Sequence, residues 1–232
     1  MQKRIAVAML GAIGAPTGWA AASVVDISGP GTTLRDVLDG GGQFRVADKL
    51  FTVTDFFSVA FDASAIGISP LDFGLAGRGF RLSDAWADVP GDTTASDFTL
   101  SYMVEIVDDP DTTVDESNFR IVDNRLDFDG FATSDGSFAR VDETVLDEFG
   151  NFLGEKSVFA NGDGTSLFED RIDFGLPGFS KLNIVKDAQF FVPLGTGTAG
   201  ASFIDQTFSQ IPAPGPLAVV LAGLGVATRR RR

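Results

Sequence analysis

Strict alternation of apolar and polar residues is the feature that most limits how this chain can fold. Over residues 98–106 every second side chain is apolar: Phe98, Leu100, Tyr102, Val104 and Ile106. Successive side chains of a β-strand point to opposite faces, so this period predicts a strand with one buried face.

A second stretch shows the same period. Phe51 and Val53 alternate with threonines, and Phe57, Val59 and Phe61 continue the odd-numbered parity. All five side chains are therefore predicted to point to one face. Further strand-like segments, separated by turns rich in Gly, Pro, Asp and Asn, cover 118–122, 137–145, 169–174, 181–185, 189–192 and 201–208.

One segment predicts a helix. Thr32 or Thr33 could cap residues 34–38, and Gly40 would end them. A weak motif of an aliphatic residue, Asp and Phe recurs at 71–74, 126–128 and 172–175, where strand ends with Asp outward are expected. We predict an all-β fold, an antiparallel β-sandwich or jelly roll with one short N-terminal helix.

Two residue types are missing from the 232-residue chain. It has no Cys and no His, which excludes disulfides, thiolate nucleophiles, imidazole metal ligands and Ser-His-Asp catalysis. Our first prediction is a non-enzymatic protein with no cofactor and no metal site, although carboxylate hydrolysis and calcium binding need neither Cys nor His.

The charge is unevenly distributed. Six of the 18 basic residues lie at the two ends, which leaves residues 23–211 with a net charge of about -20. An acidic body of this kind is repelled by phosphate backbones, so nucleic acid is not an expected partner.

Residues 1–22 have the pattern of a secretory signal peptide. Lys3 and Arg4 precede an apolar stretch over 5–15, and small residues follow it. Cleavage is predicted after Ala22, with Ala20 as the second small position; a cut after Ala20 fits almost as well. The Sec translocon is the expected partner for export.

Residues 211–232 form a three-part tail. Pro212-Ala213-Pro214 is followed by an apolar run over 217–227. As a helix, residues 215–228 would cover about 21 Å of a bilayer core of about 30 Å, which favours transient membrane insertion. A stop-transfer cluster ends the chain: Arg229, Arg230, Arg231 and Arg232.

This tail resembles the PEP-CTERM sorting signal of Gram-negative bacteria, in which a Pro-Glu-Pro motif, a short apolar helix and a basic cluster are recognised by an exosortase. Ala213 stands where the family has Glu. The body, over 33–51 and 186–210, resembles uncharacterised exported proteins with the same tail. The resemblance implies an inner-membrane intermediate, cleavage near Pro212-Ala213-Pro214 and a final place at the cell surface or in the extracellular matrix.

The body, 23–210, is predicted to be one domain, and three ligand hypotheses remain open for it. Carbohydrate binding, with exopolysaccharide as ligand, would use Trp86, because flat aromatic rings with a polar handle suit sugars. A glycoside hydrolase would need a carboxylate pair that no spacing fixes. Calcium-dependent adhesion would use acidic loops, chiefly Asp108, Asp109, Asp111, Asp115 and Glu116.

Overall fold

The computed structural model describes residues 23–91 and 94–213. These residues form an antiparallel β-sandwich, which confirms the predicted fold class. Its first sheet has the strand order β1 (Val24–Val25), β2 (Gln43–Val46), β3 (Lys49–Ser58), β6 (Ser96–Ile106), β14 (Lys181–Phe191), β10 (Phe138–Asp147), β11 (Phe152–Asn161) and β12 (Ser166–Leu167).

The second sheet packs against the first. Its strand order is β13 (Glu169–Asp173), β8 (Asp123–Phe128), β15 (Ala199–Phe208), β5 (Arg78–Asp88) and β4 (Gly67–Asp72), and β9 (Phe131–Ala132) also pairs with β15. A separate pair joins β16 (Gln210–Pro212) to β7 (Phe119–Ile121). Neighbouring strands are antiparallel except for the parallel pair β1 and β2.

The predicted alternation in β6 builds the centre of the core. Phe98, Leu100, Tyr102 and Val104 are all buried. The facing sheet contributes Phe80, whose ring meets the Tyr102 ring edge-on at a centroid distance of 5.3 Å. The even-numbered side chains of β6 thus lie in the space between the two sheets.

In β3, the predicted pattern of odd-numbered side chains on the buried face holds only as far as Val53. A β-bulge between Val53 and Asp55 inserts one extra residue, so Phe56 lies opposite Leu100 and packs against the core. Phe57 is 61% exposed instead of buried. An extra residue in one strand reverses the faces of all residues beyond it.

The predicted helix is confirmed as α1 (Leu34–Asp39). Thr33 is its N-cap: the Thr33 hydroxyl accepts from the backbone N–H of Asp36, and the Asp36 carboxylate accepts from the backbone N–H of Thr33. Gly40 ends the helix. Leu34 and Val37 point into the sandwich and close one end of its core.

The recurring aliphatic-Asp-Phe motif does mark strand ends. At the end of β8, Leu126 and Phe128 are buried, and at the end of β13, Ile172 and Phe174 pack against the core. The expectation is wrong at the end of β4, where Phe73 is 66% exposed. There the chain leaves the strand and enters a one-turn 3-10 helix, Gly74–Ala76, which turns the ring outward.

Most of the predicted processing residues lie outside the described residues: Ala20, Ala22, Pro214, Arg229, Arg230, Arg231 and Arg232. Pro212 and Ala213 are described. Within 23–91 and 94–213, no helix is both long and apolar enough to cross a bilayer.

Candidate functional site

A groove of about 600 Å³ crosses the outer face of the second sheet. We call it the arginine groove. In β8 and β15 the inward parity fills the core, so the alternate residues Arg125, Asp127, Phe203, Asp205 and Thr207 face the groove. Its walls come from the end of β4 and the turn after it, from β13 and the residue before it, and from the residue after β15; they include Leu71, Phe73, Ala76, Phe168, Glu169, Arg171 and Ser209.

The first charged row in this face runs straight across neighbouring strands. Arg81 is the register partner of Asp205, Asp205 is the partner of Asp127, and Asp127 is the partner of Glu169. Arg81 donates to both carboxylate oxygens of Asp205, from Nε at 2.6 Å and Nη2 at 2.7 Å. That hydrogen bonding raises the pKa of Arg81 and fixes its guanidinium plane.

Two further arginines form the second row. Arg125 donates to Asp127 at 2.7 Å and to Glu169 at 3.1 Å, both from Nη2. Its partnership with Asp127 raises the pKa of Arg125. The Arg171 Nη2 atom lies 2.6 Å from a carboxylate oxygen of Asp123.

Phenylalanine rings supply the apolar part of the arginine groove. Phe73 and Phe168 are 66% and 48% exposed. The guanidinium carbon of Arg81 lies 4.1 Å from the centroid of the Phe203 ring. Flat apolar surfaces thus stand beside planar hydrogen-bonding groups that are held in place by ion pairs.

This arrangement suits recognition of a polyhydroxylated ligand. Planar guanidinium and carboxylate groups can bond neighbouring hydroxyls in pairs, and aromatic rings can pack against the C–H faces of a sugar. The groove carboxylates Asp127, Asp205 and Glu169 each accept a hydrogen bond from an arginine. The row is therefore a ladder of ion pairs, and we do not interpret it as a hydrolytic carboxylate pair.

The prediction that Trp86 contacts a ligand is wrong. Trp86 is 1% exposed, and its ring stacks against Phe190 at a centroid distance of 6.3 Å and packs beside Phe98 at 5.6 Å. Trp86 lies on the inward parity of β5, so a ligand in solvent cannot reach it. The ring fills the core instead.

In the acidic loop that was proposed to bind calcium, carboxylates are buried or hydrogen-bonded to other groups of the protein. Asp109 and Glu116 are buried. The Glu116 side chain accepts from the backbone N–H of Asp109 and from Arg78 Nη1, and the Asp108 carboxylate accepts from the backbone N–H of Glu116. Among the described residues no group of three or more acidic side chains is arranged to hold a metal ion.

The arginine groove was not predicted, although the sequence holds a trace of it. Arg125-Leu126-Asp127 and Arg171-Ile172-Asp173 repeat an Arg-apolar-Asp pattern. In a strand this pattern places Arg and Asp on one face and the apolar residue on the other. What the sequence does not reveal is that β8 and β13 are neighbours, which brings the two patterns together.

No family model matches this chain, and no curated protein matches it. Among solved structures it is similar to TmCBM27, a carbohydrate-binding module described for specific mannan recognition, with 12% identity and a TM-score of 0.32 over 69% of this chain and 87% of that one. A CBM4 structure gives 14% identity and a TM-score of 0.23, covering 68% and 86% of the two chains.

The enzymatically active domain of bacteriophage CBA120 tailspike protein 4 gives 16% identity and a TM-score of 0.26 over 68% of this chain. This chain matches only 19% of the length of that tailspike chain. TM-scores and identities this low carry no argument about function.

Proposed function

We propose that this chain is an exported, non-enzymatic glycan-binding protein whose arginine groove binds an extracellular polysaccharide. The observation that supports the proposal is the composition of the groove. Arginines fixed by carboxylates stand beside the exposed rings of Phe73 and Phe168. Hydroxyl groups would bond the charged rows, and the sugar faces would cover the rings.

The negative charge of the protein restricts the class of polysaccharide that we expect to bind. The lining of the groove carries more carboxylates than arginines, and residues 23–211 have a net charge of about -20. Long-range repulsion therefore disfavours strongly anionic chains and leaves neutral polysaccharides as the preferred ligands.

A glycan array followed by calorimetry tests this proposal on the full chain. We expect Phe73→Ala and Arg125→Ala each to weaken binding by about tenfold or more, because each removes a stacking surface or a charged hydrogen-bond donor. Phe149→Ala is the matched control, since Phe149 is an exposed ring in the turn between β10 and β11, outside the groove. Binding that survives both groove substitutions would place the site elsewhere, and no binding to any polysaccharide would reject the function.

A second proposal concerns delivery. We infer that the tail directs the body to the cell surface, where an exosortase cuts near Pro212-Ala213-Pro214. This rests on the resemblance of the tail, supported by one feature of the fold. β16 includes Pro212, and the Ala213 N–H donates to Asn118 O at 2.7 Å, so the first two residues of the motif lie at the last strand of the body.

Intact mass of the native protein from cell-surface and culture-medium fractions tests the delivery proposal. A mass for residues 23 to about 212, with or without an added group, would support export and cleavage. Replacing the four terminal arginines by serine should leave the tail uncut. A native mass that still ends at Arg232 would reject cleavage while leaving glycan binding untouched.

A further inference from the structure

A cluster of polar side chains lies in the middle of the sandwich, and neither proposal above uses it. Glu143, Lys156 and Lys186 come from β10, β11 and β14 of the first sheet, and Asn124 and Gln206 come from β8 and β15 of the second. None of the five is more than 2% exposed. The cluster therefore connects the two sheets inside the core.

Three of these side chains contact one another directly. Lys156 Nζ lies 2.5 Å from the carbonyl oxygen Oδ1 of Asn124. One carboxylate oxygen of Glu143, Oε1, lies 2.8 Å from Lys156 Nζ and accepts a hydrogen bond from Asn124 Nδ2 at 2.7 Å. The same oxygen thus touches an amine nitrogen and the nitrogen of the amide beside it.

The other two side chains orient this trio. Lys186 Nζ donates to Glu143 Oε2 at 2.5 Å and to Gln206 Oε1 at 2.8 Å. The Gln206 Nε2 group in turn donates to Asn124 Oδ1. A donor on the carbonyl oxygen withdraws electron density from the carbonyl carbon and stabilises negative charge that develops on the oxygen.

The charges of the cluster do not balance. Within the cluster two buried ammonium groups share a single carboxylate, and Asp170, outside the cluster, adds a weaker attraction to Lys156. Burial lowers the pKa of Lys156 to about 8, against the opposing attraction of Glu143, so the neutral amine becomes accessible near physiological pH. An unpaired buried charge is costly, and a reaction that removes one is favoured.

We propose that Lys156 and Asn124 become joined by an isopeptide bond in the folded protein, with Glu143 carrying the protons. The Lys156 ammonium gives a proton to Glu143, and its nitrogen lone pair attacks the Asn124 side-chain carbonyl carbon. Glu143 delivers that proton to Nδ2, the carbon–Nδ2 bond breaks, and ammonia leaves. Glu143 then takes a second proton from the newly bonded nitrogen and passes it to the ammonia, which departs as ammonium.

The product accounts for the composition of the cluster. A neutral amide replaces one ammonium, and Lys186 and Glu143 remain as a single balanced ion pair. The bond would tie β11 of one sheet to β8 of the other. A chain without Cys would thereby gain a covalent cross-link of its two layers.

Two other lysines contact a side-chain amide, but in neither contact does the amide nitrogen donate to a carboxylate. Lys186 contacts Gln206, but the Gln206 Nε2 atom donates to Asn124 Oδ1 and to Arg125 O, and neither acceptor can return a proton. Lys49 contacts Gln210, but Gln210 Nε2 has no hydrogen-bond partner among the described residues. Of the three side-chain amides that contact a lysine within residues 23–91 and 94–213, Asn124 alone donates from its leaving nitrogen to a carboxylate.

Tryptic digestion of the full chain followed by tandem mass spectrometry tests the proposal. Cross-linked Lys156 cannot be cleaved, so peptide 121–125 should remain joined to peptide 141–171, with a mass deficit of about 17 Da for the lost ammonia. Free peptides 121–125 and 141–156 from the folded protein would overturn it. A deficit that maps to Lys49 or Lys186 would overturn the choice of pair.

Three substitutions separate the roles. Asn124→Asp should give the same joined peptide with the same mass, because water leaves instead of ammonia. Glu143→Gln should give free peptides, and its fold is checked by circular dichroism; a folded Glu143→Gln protein that is still joined would reject the role of Glu143. Glu116→Gln, which alters a similarly buried carboxylate in a different cluster, should remain joined. If Glu143→Gln fails to fold, the digest of the unaltered chain decides.

Discussion

Glu143 has an unusual environment for a carboxylate between two packed sheets. Burial by itself raises the pKa of Glu143, but the attraction of Lys156 and Lys186 and their hydrogen bonds outweighs it and lowers the pKa to about 2. Because the folded-state pKa lies below the unfolded value, Glu143 stabilises the fold above about pH 4.5. That contribution is lost as the pH falls towards about 2.

Acid titration should reveal this contribution. We expect the free energy of unfolding, measured by urea denaturation between about pH 6 and pH 2, to fall through Glu143, by on the order of 3 kcal/mol while both lysines are charged and by less once Lys156 is bonded to Asn124. Glu143→Gln should be less stable at neutral pH and should show a shallower decline on acidification. Equal slopes for the two proteins would mean that Glu143 is not ion-paired in the fold.

Substitution of Trp86 distinguishes a role in packing the core from a role in binding a ligand. Removing its ring leaves a cavity beside Phe98 and Phe190, so Trp86→Ala should lower the free energy of unfolding by about 3–5 kcal/mol in thermal or urea denaturation. Under conditions where the variant is folded, its affinity for glycans should equal that of the unaltered protein. Specific loss of affinity in the folded variant would contradict the placement of the site in the arginine groove.

At the scale of single elements, the bulge in β3 makes a prediction that distinguishes adjacent residues. Phe56 packs against the core near Phe98, whereas Phe57 is exposed. We expect Phe56→Ser to cost about 2 kcal/mol or more of unfolding free energy and Phe57→Ser to change it by about 0.5 kcal/mol or less. The two variants are matched in chemistry, and the reverse ranking in urea denaturation would show that the strand keeps its odd parity throughout.

The helix cap is a second element that can be tested alone. Thr33→Ala removes the side-chain acceptor for the Asp36 N–H and should destabilise the protein by about 1 kcal/mol, because α1 closes one end of the core. Thr33→Ser, which keeps the hydroxyl, is the control in the same thermal unfolding assay. An equal loss in both variants would assign the effect to the lost methyl group.

Elements with regular patterns were predictable from sequence, but the burial of charged side chains between the two sheets was not. The alternation of β6 and the capping residues of α1 can be recognised from the local sequence alone. In β11 the inward position Lys156 interrupts the apolar parity, so no strand was predicted there. Lysine and glutamate at single positions are typical of exposed faces, and only the packing of two sheets reveals that Glu143, Lys156 and Lys186 lie inside.

The whole molecule is strongly acidic, and this affects its stability as a unit. Residues 23–211 have a net charge of about -20, which destabilises a compact shape through self-repulsion. Added NaCl should therefore raise the melting temperature from low ionic strength to about 0.5 M, because the screening length shortens from about 30 Å at roughly 0.01 M to less than about 10 Å above roughly 0.1 M. KCl at the same ionic strength should act equally, and a fall in melting temperature would mean that surface ion pairs dominate.

The borders of the first sheet affect whether copies of the protein can associate through their edge strands at high local concentration. Its two outermost strands, Val24–Val25 and Ser166–Leu167, are only two residues long. Such short borders expose few unpaired backbone groups to which another polypeptide could add a strand. Addition of a strand from another copy is therefore disfavoured at these two borders of the first sheet.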